Sequence, residues 1–426
     1  MKVMVVGAGG REHALSWKIS QSELVEKIYC APGNAGMKNL AELVPIDTSN
    51  ISELLKFAQL NKMDLTVVGP EEPLTMGIVD EFEKIGLKIF GATKSAAELE
   101  RSKVFAKRFM ERHKIPTARF RVVETPDQAM EVLESGTFSF PLVVKADGLA
   151  AGKGAYVCEN LKHAQEAVRH IMVERKFGRA GDKVVIEEFL HGKEVSFIVL
   201  SDGIRVLPLV TTMDHKAIFD GDKGPNTGGM GAISPSPFIT RELFQQVMDT
   251  IIFPTVTRML EEGRKLKGVL YAGLMLTNEG PKVLEYNCRF GDPETQPQML
   301  RLGSDLVEIL LSAVNGNILK SKVAWSEKPS GCVILASGGY PVKHEKGMAI
   351  KGLKKIMDMS KIVVFHAGTK FESDEYFTDG GRVLGVCASE NTLTETMDTI
   401  YEAVSNIKFQ GMHFRKDIGA ARGEEK

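Results

Sequence analysis

Residues 145–154 read Lys-Ala-Asp-Gly-Leu-Ala-Ala-Gly-Lys-Gly and follow the apolar run Leu142–Val144. The stretch has a P-loop's composition without its register. Five residues before Gly152 stands Asp147 rather than glycine, and Gly154 follows Lys153 where a serine or threonine would hold magnesium. A strand bearing Lys145, a glycine loop and a second strand instead predict a flap that closes over phosphates. Lys145 would neutralise α/β-phosphate charge, and the loop backbone at Gly148, Gly152, Lys153 and Gly154 would donate N–H groups. The bland alternative is a solvent-exposed turn.

Upstream, residues 1–101 alternate apolar runs (Val3–Val6, Ile28–Ala31, Leu65–Val68, Lys88–Phe90) with amphipathic stretches (Glu12–Ser20, Ile51–Asn61, Thr75–Ile85). That alternation predicts a doubly wound α/β domain with a parallel sheet. Ligands bind beyond the carboxyl ends of such strands, so the turns Gly7–Arg11, Pro32–Gly36 and Gly69–Pro73 are expected to line a site. Gly9, Gly10, Arg11, Asn34, Pro70 and Glu71 are its candidate substrate residues. The first turn, Gly7-Ala-Gly-Gly-Arg-Glu-His13, has Glu12 where a dinucleotide fingerprint has its third glycine, which disfavours NAD. A glycine turn feeding a helix still suits a phosphate-bearing small substrate, against a purely structural tight turn.

Downstream, the segment 102–319 opens with a helix over Ser102–Lys114, stopped by Pro116. Strands follow at Phe120–Val123, Leu142–Ala146, Val184–Glu188, Glu194–Leu200, Ile204–Val210, Val269–Thr277 and Pro281–Asn287, and hairpin signals at Asp202-Gly203 and Glu279-Gly280 imply antiparallel pairs. A flap is expected over about residues 120–190. Residues 224–237, rich in glycine and proline, predict a long loop without helix or regular strand. From 320 to 426, after a polar linker, strands at Cys332–Ser337, Ile362–His366 and Arg382–Ser389 and a helix over Leu393–Ile407 imply a small α+β domain.

Three further clusters carry chemistry. Glu187-Glu188-Phe189-Leu190, with Glu194 beyond, can present backbone groups to an adenine edge and a carboxylate to ribose hydroxyls; alone, a Glu-Glu pair is usually solvated surface. In Glu285-Tyr-Asn-Cys-Arg289, side chains at i and i+2 of a strand share a face. Glu285 and Asn287 can therefore offer two oxygens to one cation, and so sparse a set of hard ligands suits magnesium, which borrows the rest of its shell from water and nucleotide phosphate. Arg289 continues the row and suits a phosphoryl group or carboxylate; a structural ion pair is the alternative. Asp214, in Met213-Asp-His-Lys216, is expected beside an amine-bearing substrate, because no serine or cysteine stands out as a nucleophile for an Asp-His dyad.

Composition narrows the classes further. The 426 residues carry 54 basic and 55 acidic side chains, a net charge of -1. This is no footprint for nucleic acid or an anionic membrane, and small-molecule partners are expected. Five scattered cysteines without a Cys-x-x-Cys pair argue for a reducing compartment. The opening residues lack the apolar core of a signal peptide and no run reaches a membrane span, so the expected location is the cytoplasm. A monomer is the working expectation.

GGREHAL, APGNAG, GPEEPL, VVKADGLAAGKG, EEFL, DGDKGPNTGGMGA, GVLYAGLM, EYNCRFGDPETQ and the tail MHFRKDIG occur in that order from Met1 to about Gly419. Together they resemble the phosphoribosylamine–glycine ligase family of the ATP-grasp superfamily. The resemblance implies a central ATP-grasp α+β domain and a carbon–nitrogen ligase of purine biosynthesis, with ATP and Mg2+ or Mn2+ as cofactors and glycine and 5-phosphoribosylamine as substrates. It implies that Lys103, Lys145, Glu187, Phe189 and Glu194 hold ATP and that Glu285 and Asn287 ligate metal. Asp214, Arg289 and the turns at Gly9 and Pro70 would serve substrate, with Arg289, Lys145 and Asp214 as the catalytic set. The chain departs from the family pattern at Arg101, Ala217 and Ile233. The rival readings are another carboxylate–amine ligase of the superfamily, a nicotinamide dehydrogenase and a non-catalytic nucleotide-binding module.

Overall fold

Lys2–Gly7 is apolar on both faces, and it occupies the middle of a five-stranded sheet. Parallel pairing with Lys27–Pro32 and Leu65–Val68 extends to Glu42–Leu43 on one edge and Ile89–Phe90 on the other. Met4 and Val6 pack with Leu54, Ala58 and Phe82 on one side, while Val3 and Val5 pack with Leu15 and Ile19 on the other. The period of two along the strand thus covers both faces with helices, as the doubly wound reading requires. The computed structural model describes residues 1–149, 154–318 and 323–420.

The expected helix over Thr75–Ile85 is instead two, Glu71–Met76 and Ile78–Lys84. Gly77 sits between them at φ +100°, a left-handed conformation that ends the first helix and that glycine adopts without strain.

The central segment forms two four-stranded antiparallel sheets. The flap sheet runs Phe120–Val123, Val184–Glu188, Leu142–Ala146, Ala155–Cys158. The base sheet runs Val206–Pro208, Lys193–Asp202, Lys267–Thr277, Gly280–Asn287. In the base sheet the register shifts between Gly273 and Leu274, which pair with Glu285 and Val283 and leave Leu284 unpaired. Such a bulge re-aims the strand, and here it frees the Leu284 carbonyl to accept from Lys145 Nζ at 3.3 Å.

A third sheet has the order Met213–Asp214, Gly231–Ser234, Ser330–Ala336, Arg382–Ser389, Val363–His366, with the helix Leu393–Ser405 packed on it. Two of its strands come from the central segment, which corrects the expectation of a structureless loop over 224–237. Lys223–Asn226 pairs with Ala217–Phe219, and Gly231–Ser234 pairs with Ser330–Ala336. Gly231–Ser234 has Met213–Asp214 on one side, and its longer partner, Ser330–Ala336, lies about a hundred residues away in sequence, beyond the reach of local composition. A Cβ at Gly231 would stand 2.6 Å from the Cys332 carbonyl oxygen, so the glycine that argued for a loop is what lets the strands meet.

The first helix, Gly10–Ile19, meets the third sheet through two buried histidines. The His366 N–H donates to His13 Nδ1 at 2.9 Å. Burial first, and then the charge of His366, push His13 from 6.5 down to about 3, while burial pushes His366 down to about 4. Between pH 6.5 and about 4 the unfolded chain therefore binds protons that the folded chain refuses. Stability is fully present above pH 6.5 and is lost as pH falls through that window. Thermal melts from pH 7 to 4 are expected to show a falling Tm, with a shallower slope in His13→Gln; equal slopes would remove this pair from the account.

Candidate active site

One cavity of about 960 Å³ lies between the flap and base sheets and opens toward the turns of the N-terminal sheet and the third sheet. Its flap end is built on Glu187, which is 1% exposed. One carboxylate oxygen contacts Lys145 from the neighbouring strand, and the other lies 2.5 Å from Lys107 on the helix Lys103–Arg112. Burial raises a carboxyl's pKa, but the two ammonium groups outweigh it and hold Glu187 below the usual range. Lys103 donates to the Gly148 carbonyl at 2.9 Å, and burial lowers its pKa against the pull of Glu285. Asp147, the residue that breaks the P-loop pattern, anchors the loop to that helix. It accepts from Ser102 Oγ at 2.9 Å and from Val104 N–H at 3.1 Å. Three lysines thus converge on one wall, an arrangement suited to polyphosphate.

Phe189 and Leu190 line the same end. Glu188 lines it too, but its carboxylate accepts from Arg119 at 2.6 and 2.9 Å, so only its backbone is left for a ligand. Glu194 also reaches the wall, with its carboxylate paired to Lys216. The predicted Gly148 and Gly154 line the cavity, while Gly152 and Lys153 lie outside the described residues.

In the middle, Glu285 and Asn287 face the cavity from one side of their strand, while Tyr286 and Cys288 turn into the core. Glu285 is ringed by cations. Burial would raise its pKa, yet Lys216, Lys145, Lys103 and Arg289 bring it down to about 2. Among the described residues no group of three or more His, Cys, Asp or Glu could hold a metal by itself. A permanently ionised carboxylate with one amide oxygen beside it does fit Mg2+ or Mn2+ that takes its remaining oxygens from water and phosphate.

The far end is acidic and basic in alternation. Arg289 Nε lies 3.2 Å from Glu100 and 3.3 Å from Glu71, and its Nη2 donates to Asn287 Oδ1 at 3.2 Å. Burial, only partly offset by Arg289, raises Glu100 to about 7. Asp214 is raised well above the usual carboxylate range, by burial first and the Glu294 charge second, and its Oδ1 is buried without a hydrogen-bond partner. Glu294 is occupied by Tyr271 and Ser196 at 2.5 and 2.9 Å. A buried carboxylate oxygen left unpaired costs free energy unless a donor arrives. An ammonium or amine of a substrate is such a donor.

Gly229, at φ +109°, passes directly over Asp214. A Cβ there would stand 2.6 Å from Asp214 Oδ1 and 2.3 Å from Pro293 Cδ. Gly229→Ala is expected to lower kcat/KM by roughly 10²-fold through misplacement of Asp214, with the fold retained. A folded variant of normal turnover would separate Asp214 from the chemistry.

The N-terminal turns behave differently from the simple phosphate cradle expected. Glu12 Oε2 accepts the Gly9 N–H at 2.6 Å, and its side chain fills the space over Gly7, Gly9 and Gly69. Arg11 is tied to Glu12 Oε1 at 2.5 Å and to the Phe290 carbonyl at 3.0 Å. Gly9, Arg11, Pro70 and Glu71 line the cavity, but Gly10 and Asn34 are not among its lining residues. Asn34 spends its amide on the Ala8 and His366 carbonyls, holding the turn to the third sheet. Sequence reasoning missed Lys107, Lys216, Tyr271, Glu294 and Arg382. Lys107 had a signal, since it lies four residues after Lys103 on one helix face; Arg382 had none, being about ninety residues from its partner Asp292.

Residues 1–100, 101–295 and 330–421 match the N domain, the ATP-grasp (A) domain and the C domain of phosphoribosylglycinamide synthetase. The phosphoribosylamine–glycine ligase of Caldanaerobacter subterraneus subsp. tengcongensis is 48% identical over 420 residues, 99% of this chain and 100% of that one. That of Escherichia coli O6:H1 is 51% identical over 424 residues, 98% of each. The crystal structure of the Thermotoga maritima phosphoribosylamine–glycine ligase superposes with a TM-score of 0.84 at 33% identity, covering 98% of this chain and 100% of that one. A biotin carboxylase domain from Hydrogenobacter thermophilus shares the fold at 17% identity, with a TM-score of 0.74 over 97% of this chain and 91% of its own. With three consecutive domains matched and one cavity drawing its walls from all of them, the chain belongs to the phosphoribosylglycinamide synthetase family.

Proposed function

We propose that the chain joins glycine to 5-phosphoribosylamine at the expense of ATP, giving glycinamide ribonucleotide, ADP and phosphate in purine biosynthesis. In this reaction the glycine carboxylate takes the γ-phosphoryl group, and the amine of 5-phosphoribosylamine then displaces phosphate from the glycyl phosphate. The observation that carries the reading is the division of the cavity: a triple-lysine wall at one end, an arginine with an unpaired carboxylate at the other, and Glu285 and Asn287 between.

Lys103, Lys107 and Lys145 hold the polyphosphate, and the segment Glu187–Leu190 forms the purine wall. Glu285 and Asn287 would hold Mg2+ or Mn2+, which would supply neutralisation of the phosphate charge. Arg289 steadies the phosphoryl group and the glycine carboxylate. Asp214 Oδ1 accepts an N–H of the amine, and its raised pKa suits it to take the proton released on attack. The turns at Gly9 and Pro70 bound the acceptor end. A monomer is the proposed working unit. Among the described residues no helix is long and apolar enough to cross a membrane, and the cytosol is the proposed location.

The test is phosphate release with ATP and glycine, with and without 5-phosphoribosylamine generated in situ. Full turnover is expected only with all three. Release driven by bicarbonate or by another amino acid in place of glycine would overturn the assignment in favour of a different superfamily ligase.

A further inference from the structure

The hairpin formed by Ala217–Phe219 and Lys223–Asn226 brings Asn226, Thr227 and Gly228 to the cavity wall. Its strands are of three and four residues, and the second is exposed along its whole length. A two-stranded hairpin of this size cannot hold its own shape in water. The tail 413–418 holds it.

Arg415 is fully buried. Its Nε and Nη2 donate to the two oxygens of Asp417, each at 2.7 Å. Its Nη1 donates to Asp222 Oδ1 at 2.7 Å and to the Ala217 carbonyl at 3.2 Å, one partner from the turn and one from the first strand. Asp417 in turn accepts the Gly221 N–H, and Asp220 accepts the Lys416 N–H, both at 2.8 Å. His413 Nε2 donates to the Ile218 carbonyl at 2.8 Å. At the cavity end, Gly228 is gripped by the third sheet and by the turn that follows its strand Ser330–Ala336. Its N–H donates to Tyr340 Oη at 3.0 Å, and its carbonyl accepts from Arg382 at 2.6 Å. The hairpin is thus a bar fixed at both ends.

We propose that Arg415, which touches no part of the cavity, is a positioning residue for its acceptor end: locking the hairpin root and tip fixes Asn226–Gly228 against Asp214 and Arg382. The assignment rests on the ligase reading of the cavity. A guanidinium is required because four acceptor oxygens on three residues are met by one planar fork of donors, which an ammonium cannot reproduce. The lysine wall that would hold ATP stands on the flap sheet and on the helix Lys103–Arg112, away from this tail's hydrogen bonds.

Steady-state kinetics on Arg415→Met and Asp222→Ala test the assignment. kcat/KM for glycine and for 5-phosphoribosylamine is expected to fall about tenfold or more, while KM for ATP and the affinity for ADP stay within about twofold. A lowered Tm with acceptor constants unchanged would make Arg415 a fold residue only and overturn the proposal, as would an equal loss for ATP and acceptors. If Arg415→Met does not fold, Asp222→Ala decides alone, because its carboxylate is half-exposed and its loss is tolerable. Failure of the ligase reading is distinguishable, since the unmodified chain would then show no glycine-dependent phosphate release.

Discussion

Arg289→Lys is expected to lower turnover by about 10²–10³, or roughly 3–4 kcal/mol of transition-state stabilisation, with little change in ADP affinity. The structure sharpens the reason. Arg289 is aimed at the cavity, with Glu71 and Glu100 flanking its Nε, Asn287 taking one Nη2 hydrogen and the Phe290 carbonyl taking one Nη1 hydrogen at 3.2 Å. That leaves part of a preorganised fork for a group arriving beside Glu285. Lysine keeps the charge that balances the two acids, so the fold should survive, but it loses the planar set of donors. A purely structural ion pair makes the opposite forecast: a lower Tm and near-normal turnover at low temperature. Measuring turnover, Tm and ADP affinity on this one variant decides between them, and a stable variant with near-normal turnover would sink the catalytic role.

Glu285→Gln should produce the second large effect, a loss of about 10²-fold at limiting magnesium that is partly recovered as the metal is raised. The amide retains an oxygen but no charge, and Asn287 is the only other protein ligand proposed. Four cations surround this position and hold the native carboxyl at about 2, so it is ionised throughout the physiological range. Titrating Mn2+ binding in the presence of ADP gives a readout independent of turnover. Unchanged metal affinity in the variant would assign Glu285 to balancing Lys216 and Lys145 rather than to the ion.

Several elements were legible to the residue. Phe120–Val123, Leu142–Ala146 and Val184–Glu188 have the bounds expected of them, because each is a short β-branched run with polar residues or proline at its edges. The row Glu285, Asn287, Arg289 was legible for a different reason: a period of two along one strand needs no knowledge of the partner. Thr75–Ile85 was misread because amphipathic spacing continues across Gly77, and only the left-handed backbone there divides it. Residues 224–237 were misread because glycine and proline lower local strand preference, while Gly231–Ser234 makes its longer pairing with a strand far along the chain.

The sequence by itself determined the alternation of strands and helices in the N-terminal domain, the strand that carries Lys145, and the carboxylate–amide–arginine row, since each depends on spacing within one segment. Tertiary structure alone decided what surrounds those groups. It put Lys107 against Glu187, Lys216 between Glu194 and Glu285, and Glu12 on the Gly9 N–H, and it left Asp214 Oδ1 bare. It also tied Arg415 to a hairpin nearly two hundred residues earlier. Charge and hydrogen bonding act through space over a few ångströms, so protonation and positioning are set by neighbours that sequence separation does not reveal.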